Sequence, residues 1–141
     1  MAQDINPQTL KSKIQARTTR SKRNVFIRVD FEDLGGYDQV GRALRSLVDR
    51  GCIMKIGYGL YAKTRPNRIT GEPMLAAKGG FDEVAREALN RLGVRWDVTE
   101  VEKAYQQGKS TQIPVNTQLV IQQRFNRTIG TDQMQLRHVR K

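Results

Sequence analysis

Hydrophobic residues recur at helical spacing over residues 37–50. Gly51 follows where a helix C-terminal cap is expected, and two short β-rich segments, 52–56 and 60–63, flank the turn Gly57-Tyr58-Gly59. The pattern therefore predicts an amphipathic helix followed by a tight β-hairpin. The apolar positions lie at i, i+3, i+4, i+7 and i+8, on one side of a helix: Val40, Ala43, Leu44, Leu47 and Val48.

The residues before this helix predict a second helix and a short strand. Asn6-Pro7 is a favourable helix start, because Asn caps free N–H groups and Pro has none to leave unpaired; this helix is predicted to end near Arg17. Residues 25–27 predict a strand, and residues 30–34 predict a short helix capped by Asp30. Two closely spaced helices followed by a hairpin are typical of a winged helix-turn-helix.

The second half of the chain predicts another unit. Residues 66–80 contain two of the four prolines and are predicted to be a linker. Helical spacing predicts a helix over residues 81–92, and Thr99 and Glu102 have the spacing of a capping box that opens a further helix. The period then changes to two, which predicts three antiparallel strands near residues 113–122, 124–129 and 133–139.

The predicted fold class is therefore α+β. Residues 1–65 are expected to form a winged helix-turn-helix DNA-binding domain, residues 66–80 a linker, and residues 81–141 a small domain of two helices and an antiparallel sheet. At 141 residues the chain has room for one ordinary domain or two very small ones.

Charge narrows the class of partner. The net charge is +11, and the excess lies at the two ends: residues 1–65 carry +7, residues 66–109 are neutral, and residues 110–141 carry +4. Such a basic chain favours polyanionic partners such as nucleic acid. A generally basic soluble protein is the alternative.

The sequence holds little that is typical of an enzyme. Cys52 and His138 are the only cysteine and histidine, so neither an internal disulfide nor a His/Cys zinc site is expected. Phosphate-binding-loop, nucleophile-elbow and dinucleotide motifs are not found. We therefore expect no catalytic residue, no metal and no cofactor. There is no apolar run of membrane-spanning length and no signal peptide, which predicts a cytoplasmic protein without a membrane partner.

The polar side of the 37–50 helix carries the main candidate DNA-binding residues. Arg42 and Arg45 are candidates for guanine contacts in the major groove. The alternative is that they pair with Asp38 and Asp49 at i,i+4 on a solvated surface. The basic loop 18–24 is either a phosphate contact or an ordinary solvated loop. Further candidates for base or phosphate contact lie on the same helix, on the hairpin and in this loop: Tyr37, Gln39, Ser46, Lys55, Tyr58, Lys63, Arg20, Lys22 and Arg23.

The basic residues near the C-terminus have two interpretations. They extend a track for DNA phosphates, or they lie on the solvated face of a sheet. They are Arg124, Arg127, Arg137, Arg140 and Lys141.

Four runs resemble a known family: VFIRVDF (25–31), VGRALRSLVDRG (40–51), KIGYGLY (55–61) and, more loosely, GKSTQIP (108–114). They are similar to AbiEi-type antitoxins of bacterial type IV toxin–antitoxin systems, whose N-terminal domain is a winged helix. The resemblance implies a domain that binds repeats in its own promoter, with a recognition helix at 37–50 and a wing at 52–63. It also implies a C-terminal part that opposes a nucleotidyltransferase toxin, although that part is short here for a full antitoxin.

The leading hypothesis is a sequence-specific protein for double-stranded DNA, an AbiEi-like antitoxin or transcriptional autorepressor. One alternative is a protein-interaction module that neutralises a partner toxin enzyme without reading DNA. Another is an RNA-binding protein that recognises shape and phosphate through the same basic ends.

Overall fold

A computed structural model describes residues 9–108, 118–131 and 134–140. This part of the chain has a mixed α+β fold with two sheets, which confirms the predicted α+β class. The helices are α1 (Leu10–Arg20), α2 (Tyr37–Asp49), α3 (Gly80–Arg91) and α4 (Glu100–Gln106), and a 3-10 helix spans Arg28–Phe31. The strands are β1 (Val25–Ile27), β2 (Ile53–Gly57), β3 (Leu60–Pro66), β4 (Pro73–Leu75), β5 (Trp96–Val98), β6 (Gln118–Ile121) and β7 (Arg137–Arg140).

The first sheet has the strand order β1-β3-β2, and β4 pairs with the far end of β3; every pair is antiparallel. Because side chains alternate along a strand, this sheet has two buried faces. Phe26, Ile53 and Tyr61 pack with α1 and α2, whereas Val25 and Leu60 pack with α3 and the second sheet. The sheet therefore lies between two hydrophobic clusters and holds α2 on one side.

Helix α2 forms where the periodicity predicts it. Val40, Leu44 and Leu47 are almost fully buried and share a cluster with Ile14 of α1 and Phe31 of the 3-10 helix. The helix stops before Gly51, whose φ of +76° is in the left-handed region that favours glycine. The hairpin β2–β3 follows at the predicted position.

Two local predictions near the N-terminus need correction. Helix α1 begins at Leu10, where the Thr9 side chain accepts a hydrogen bond from the Ser12 N–H at 3.2 Å, and it runs beyond the predicted end near residue 17. The Asn6-Pro7 start lies outside the described residues. The predicted helix at 30–34 is wrong: a 3-10 helix spans Arg28–Phe31 instead. It begins earlier than predicted because the Asp30 carboxylate accepts from the Ile27 N–H at 2.9 Å and so caps it at residue 27.

The segment predicted as a linker contains ordered structure. Strand β4 pairs with β3, and Leu75 and Ala77 are buried in the cluster that contains α3. That one cluster includes residues from both of the predicted domains. Helices α3 and α4 form close to their predicted positions, and Thr99 caps α4 by accepting from the Glu102 N–H at 3.2 Å.

The second sheet differs in detail from the prediction. Strand β5 pairs antiparallel with β6, but β7 pairs parallel with β6, so the sheet is not wholly antiparallel. The predicted strand at 124–129 is wrong, because this segment leaves the sheet and its end lies against the edge of β2 instead. Residues 113–117 of the first predicted strand lie outside the described residues.

Candidate nucleic-acid interface

One face of α2 carries polar side chains that the core leaves free. Tyr37, Gln39, Arg42 and Arg45 are exposed, and Ser46 is half-buried. Burial of the apolar stripe fixes the helix rotation, so these side chains necessarily face solvent. The sequence therefore predicted correctly which side of α2 is exposed.

In the described part of the chain, the structure does not contain the i,i+4 ion pairs along α2 that were the alternative to DNA contact. Among the described residues, Arg42 forms no ion pair with Asp38, and Arg45 forms none with Asp49. Both guanidinium groups are therefore available to an external acceptor. The nearby carboxylates still lower the local positive potential.

Arg28 adds a cation to this face that the sequence did not indicate. Its guanidinium lies 3.8 Å from the centre of the Tyr37 ring and donates to the Tyr37 carbonyl at 2.6 Å. Gly41 makes the approach possible, because a Cβ at that position would lie only 2.5 Å from Arg28 Nη2. Arg28 is nine residues from Tyr37, so only the folded turn brings the two together.

The hairpin meets the α2 face around Tyr61. Lys55 lies directly opposite Tyr61 in the β2–β3 register, so both side chains point to the α2 side of the sheet. Burial raises the pKa of the Tyr61 hydroxyl, and the positive charges of Arg28 and Arg45 partly offset this rise, whereas Tyr37 and Tyr58 add to it. Residues of α2, the 3-10 helix and the hairpin therefore lie near enough to the Tyr61 hydroxyl to affect its pKa.

We expect Tyr61 to ionise later than an exposed tyrosine when the folded protein is titrated with base. Its folded pKa is raised above the unfolded value near 10. Its contribution to stability is therefore fully present below about pH 10 and is lost as pH rises through the folded pKa. Tyrosinate absorbance should show a late component that Tyr61→Phe removes and Tyr105→Phe leaves in place. A Tyr61→Phe titration with the late component intact would contradict this assignment.

Lys63, which the sequence assigned to DNA contact, is engaged within the protein. Its ammonium donates to the Thr19 carbonyl at 3.5 Å, in the last turn of α1, and to the carbonyl of the C-cap residue Ser21 at 2.6 Å. Carbonyls at a helix end carry partial negative charge and attract a cation. Its contact with DNA stays a prediction, whereas in this structure its ammonium caps the C-terminal end of α1. Lys55 and Tyr58 remain exposed on the hairpin.

The basic loop between α1 and β1 is held by acids from another element. The Glu87 carboxylate of α3 accepts from the Asn24 N–H at 2.9 Å and from the Val25 N–H at 3.0 Å. Arg23 lies 3.8 Å from Asp30, whereas Arg20 and Lys22 are exposed and form no ion pair with a described residue. The structure thus fixes the loop backbone and leaves two of its three predicted cations open.

The described ranges hold neither a metal-binding cluster nor a membrane-spanning helix. These residues contain no group of three or more His, Cys, Asp or Glu side chains arranged to hold a metal ion. None of the described helices is long and apolar enough to cross a membrane.

A family model described as "Family of unknown function (DUF6088)" matches residues 10–137. No curated protein and no solved structure matches the chain.

Proposed function

We propose that this chain, which belongs to the DUF6088 family of unknown function, binds double-stranded DNA through a winged helix-turn-helix built from α1 to β3. The element order α1, β1, 3-10 helix, α2, β2, β3 and the strand order β1-β3-β2 support this assignment. The 3-10 helix and its turn occupy the position of a short middle helix, α2 is the recognition helix, and the β2–β3 hairpin is the wing.

The observation that carries the proposal is the exposed face of α2. Arg42 and Arg45 have no carboxylate partner among the described residues, and Arg45 shares the surroundings of Tyr61 with the hairpin residue Tyr58. Unpaired arginines on a helix that is itself packed on a sheet are suited to guanine edges in the major groove. Lys55 and the open cations Arg20 and Lys22 supply phosphate contacts that fix orientation.

The resemblance to AbiEi-type antitoxins extends the proposal to autorepression. In this form the protein binds repeats upstream of its own gene, and a nucleotidyltransferase-type toxin is its partner. A nucleotidyltransferase-like gene directly downstream, whose toxicity this chain relieves on co-expression, is the expected finding. Relief without any effect on promoter activity would favour the alternative of a toxin-neutralising module that does not read DNA.

A salt titration tests the DNA-binding proposal. Fluorescence anisotropy should show binding to a duplex from the region upstream of the gene, with log affinity falling linearly against log salt by about 0.9 for each phosphate neutralised. A shuffled duplex of equal composition should bind more weakly at every salt concentration. Equal affinity for both duplexes would reject sequence-specific binding, and a preference for an RNA duplex of the same sequence would favour the RNA alternative.

A further inference from the structure

Residues 127–130 lie against β2, the edge strand of the hairpin. The Gly130 N–H donates to the Ile56 carbonyl at 2.7 Å, on the strand that the sheet order leaves at an edge. Gly57 allows a close approach here, because a Cβ at this position would lie 2.9 Å from the Thr128 carbonyl oxygen. A part of the chain about seventy residues further along therefore covers the side of the hairpin.

Lys55 and Arg127 place two cations beside the hairpin turn. The Arg127 guanidinium donates to the Tyr58 carbonyl and forms no ion pair with a described residue. The Lys55 side chain is exposed and also forms no ion pair with a described residue. Two positive groups thus flank one turn without a neutralising acid among the described residues.

These residues line a cleft of about 510 Å³. Its described lining contains the two cations, an aromatic side chain that is 79% exposed, and no carboxylate. The lining is Lys55, Gly57, Tyr58, Arg127, Thr128 and Gly130. The positive charge and the size of this cleft favour a single anionic group such as a phosphate.

We infer that this cleft binds a phosphate of the DNA backbone, so that the C-terminal segment supplies part of the DNA interface. The inference rests on the proposed function. Tyr58 lines the cleft and also lies near Tyr61, as Arg45 of α2 does. The cleft is therefore adjacent to the α2 face. One N–H of Arg127 holds the turn, and the remaining N–H groups of its planar guanidinium are suited to phosphate oxygens. DNA that is bound to α2 and extends past the hairpin would place its backbone phosphates beside Lys55 and Arg127.

The test compares charge-removing variants on the duplex used above. Arg127→Gln and Lys55→Gln should each lower the salt slope by about 1 and weaken binding by about fivefold at roughly 0.15 M salt, as expected for one lost phosphate contact. Arg68→Gln is the matched control: it removes the same charge from an exposed arginine that does not line the cleft and is not among the candidate DNA contacts. It should leave the slope close to that of the wild type.

Arg127→Gln removes both the proposed phosphate contact and the hydrogen bond that braces the hairpin. Two variants distinguish these effects. Lys55→Gln keeps the Arg127–Tyr58 contact, so its loss of slope reports phosphate binding alone. Arg127→Lys keeps the charge and should retain most of the slope, although the planar donor geometry is lost. Thermal unfolding followed by circular dichroism shows whether each variant is folded at the assay temperature.

The outcomes separate the inference from the proposed function. Wild-type protein that binds no duplex DNA defeats the proposed function. Wild-type binding with unchanged slopes for both Lys55→Gln and Arg127→Gln overturns only the cleft. Weaker binding by Arg127→Gln with an unchanged slope also overturns it, since bracing alone then explains the effect.

Discussion

Replacing Arg45 with alanine is expected to weaken binding to the upstream duplex by about 1–3 kcal/mol and to abolish most of its preference over a shuffled duplex. The Arg45 guanidinium is exposed on α2, is not paired with Asp49, and lies near enough to Tyr61 to affect its pKa. It therefore lies between the helix face and the hairpin. Arg42→Ala should act in the same direction, and the double variant should bind both duplexes with similar affinity.

Arg68→Ala is the control for charge. Arg68 is an exposed arginine in the turn after β3, so its removal changes the net charge as much as Arg45→Ala does. It should lower affinity for both duplexes slightly and equally, because long-range attraction is insensitive to sequence. If Arg45→Ala and Arg42→Ala behave like Arg68→Ala, α2 does not read bases. Unfolding midpoints should stay close to the wild-type value, since exposed substitutions away from the core cost little.

The part of the candidate interface that lies within one element was predictable from sequence. Val40, Leu44 and Leu47 fix the buried side of α2, so the exposed side follows from helical geometry. The β2–β3 hairpin was predictable for a similar reason, since Gly51 and Gly59 both have the positive φ that their positions suggest. Local patterns determine these features because their determinants are neighbours in sequence.

The contacts between elements were not predictable. Arg28 on Tyr37, Lys63 at the end of α1, and Arg127 on the hairpin turn each join distant residues. Isolated arginines and lysines carry no signal for such partners, because their long side chains reach many positions. The same limit explains the false strand at 124–129 and the parallel β6–β7 pair, since strand pairing depends on tertiary neighbours. The strand Trp96–Val98 was missed because Asp97 interrupts its apolar residues, whereas the equally short strand Val25–Ile27 is apolar throughout.

Asp30→Asn is expected to lower the free energy of unfolding by roughly 3 kcal/mol. The Asp30 carboxylate is 13% exposed and forms a close ion pair with Arg91 of α3, whose side chain is 19% exposed. Arg91 Nε is buried and has no hydrogen-bond partner among the described residues. Neutralising Asp30 leaves an almost buried guanidinium without its counter-charge, which typically costs more than the pair contributes. Urea unfolding at neutral pH measures the change.

Asp33→Asn is the matched control, because Asp33 also pairs with an arginine but on the surface. Its carboxylate contacts Arg17 at 2.7 Å with 63% of its side chain exposed, and Arg17 lowers the pKa of this carboxyl. Exposed pairs contribute little to stability, so this variant should unfold near the wild-type denaturant midpoint.

Arg91→Met in the Asp30→Asn background separates a stranded charge from lost packing. If the unpaired guanidinium causes the loss, removing it should restore part of the stability, which a double-mutant cycle detects as coupling. Asp30 also lies in the 3-10 helix that places Arg28 over the first turn of α2. A destabilised but still folded Asp30→Asn protein should therefore bind the upstream duplex more weakly as well. Equal stability losses for Asp30→Asn and Asp33→Asn, with no coupling to Arg91, would show that α3 does not support the 3-10 helix through this pair.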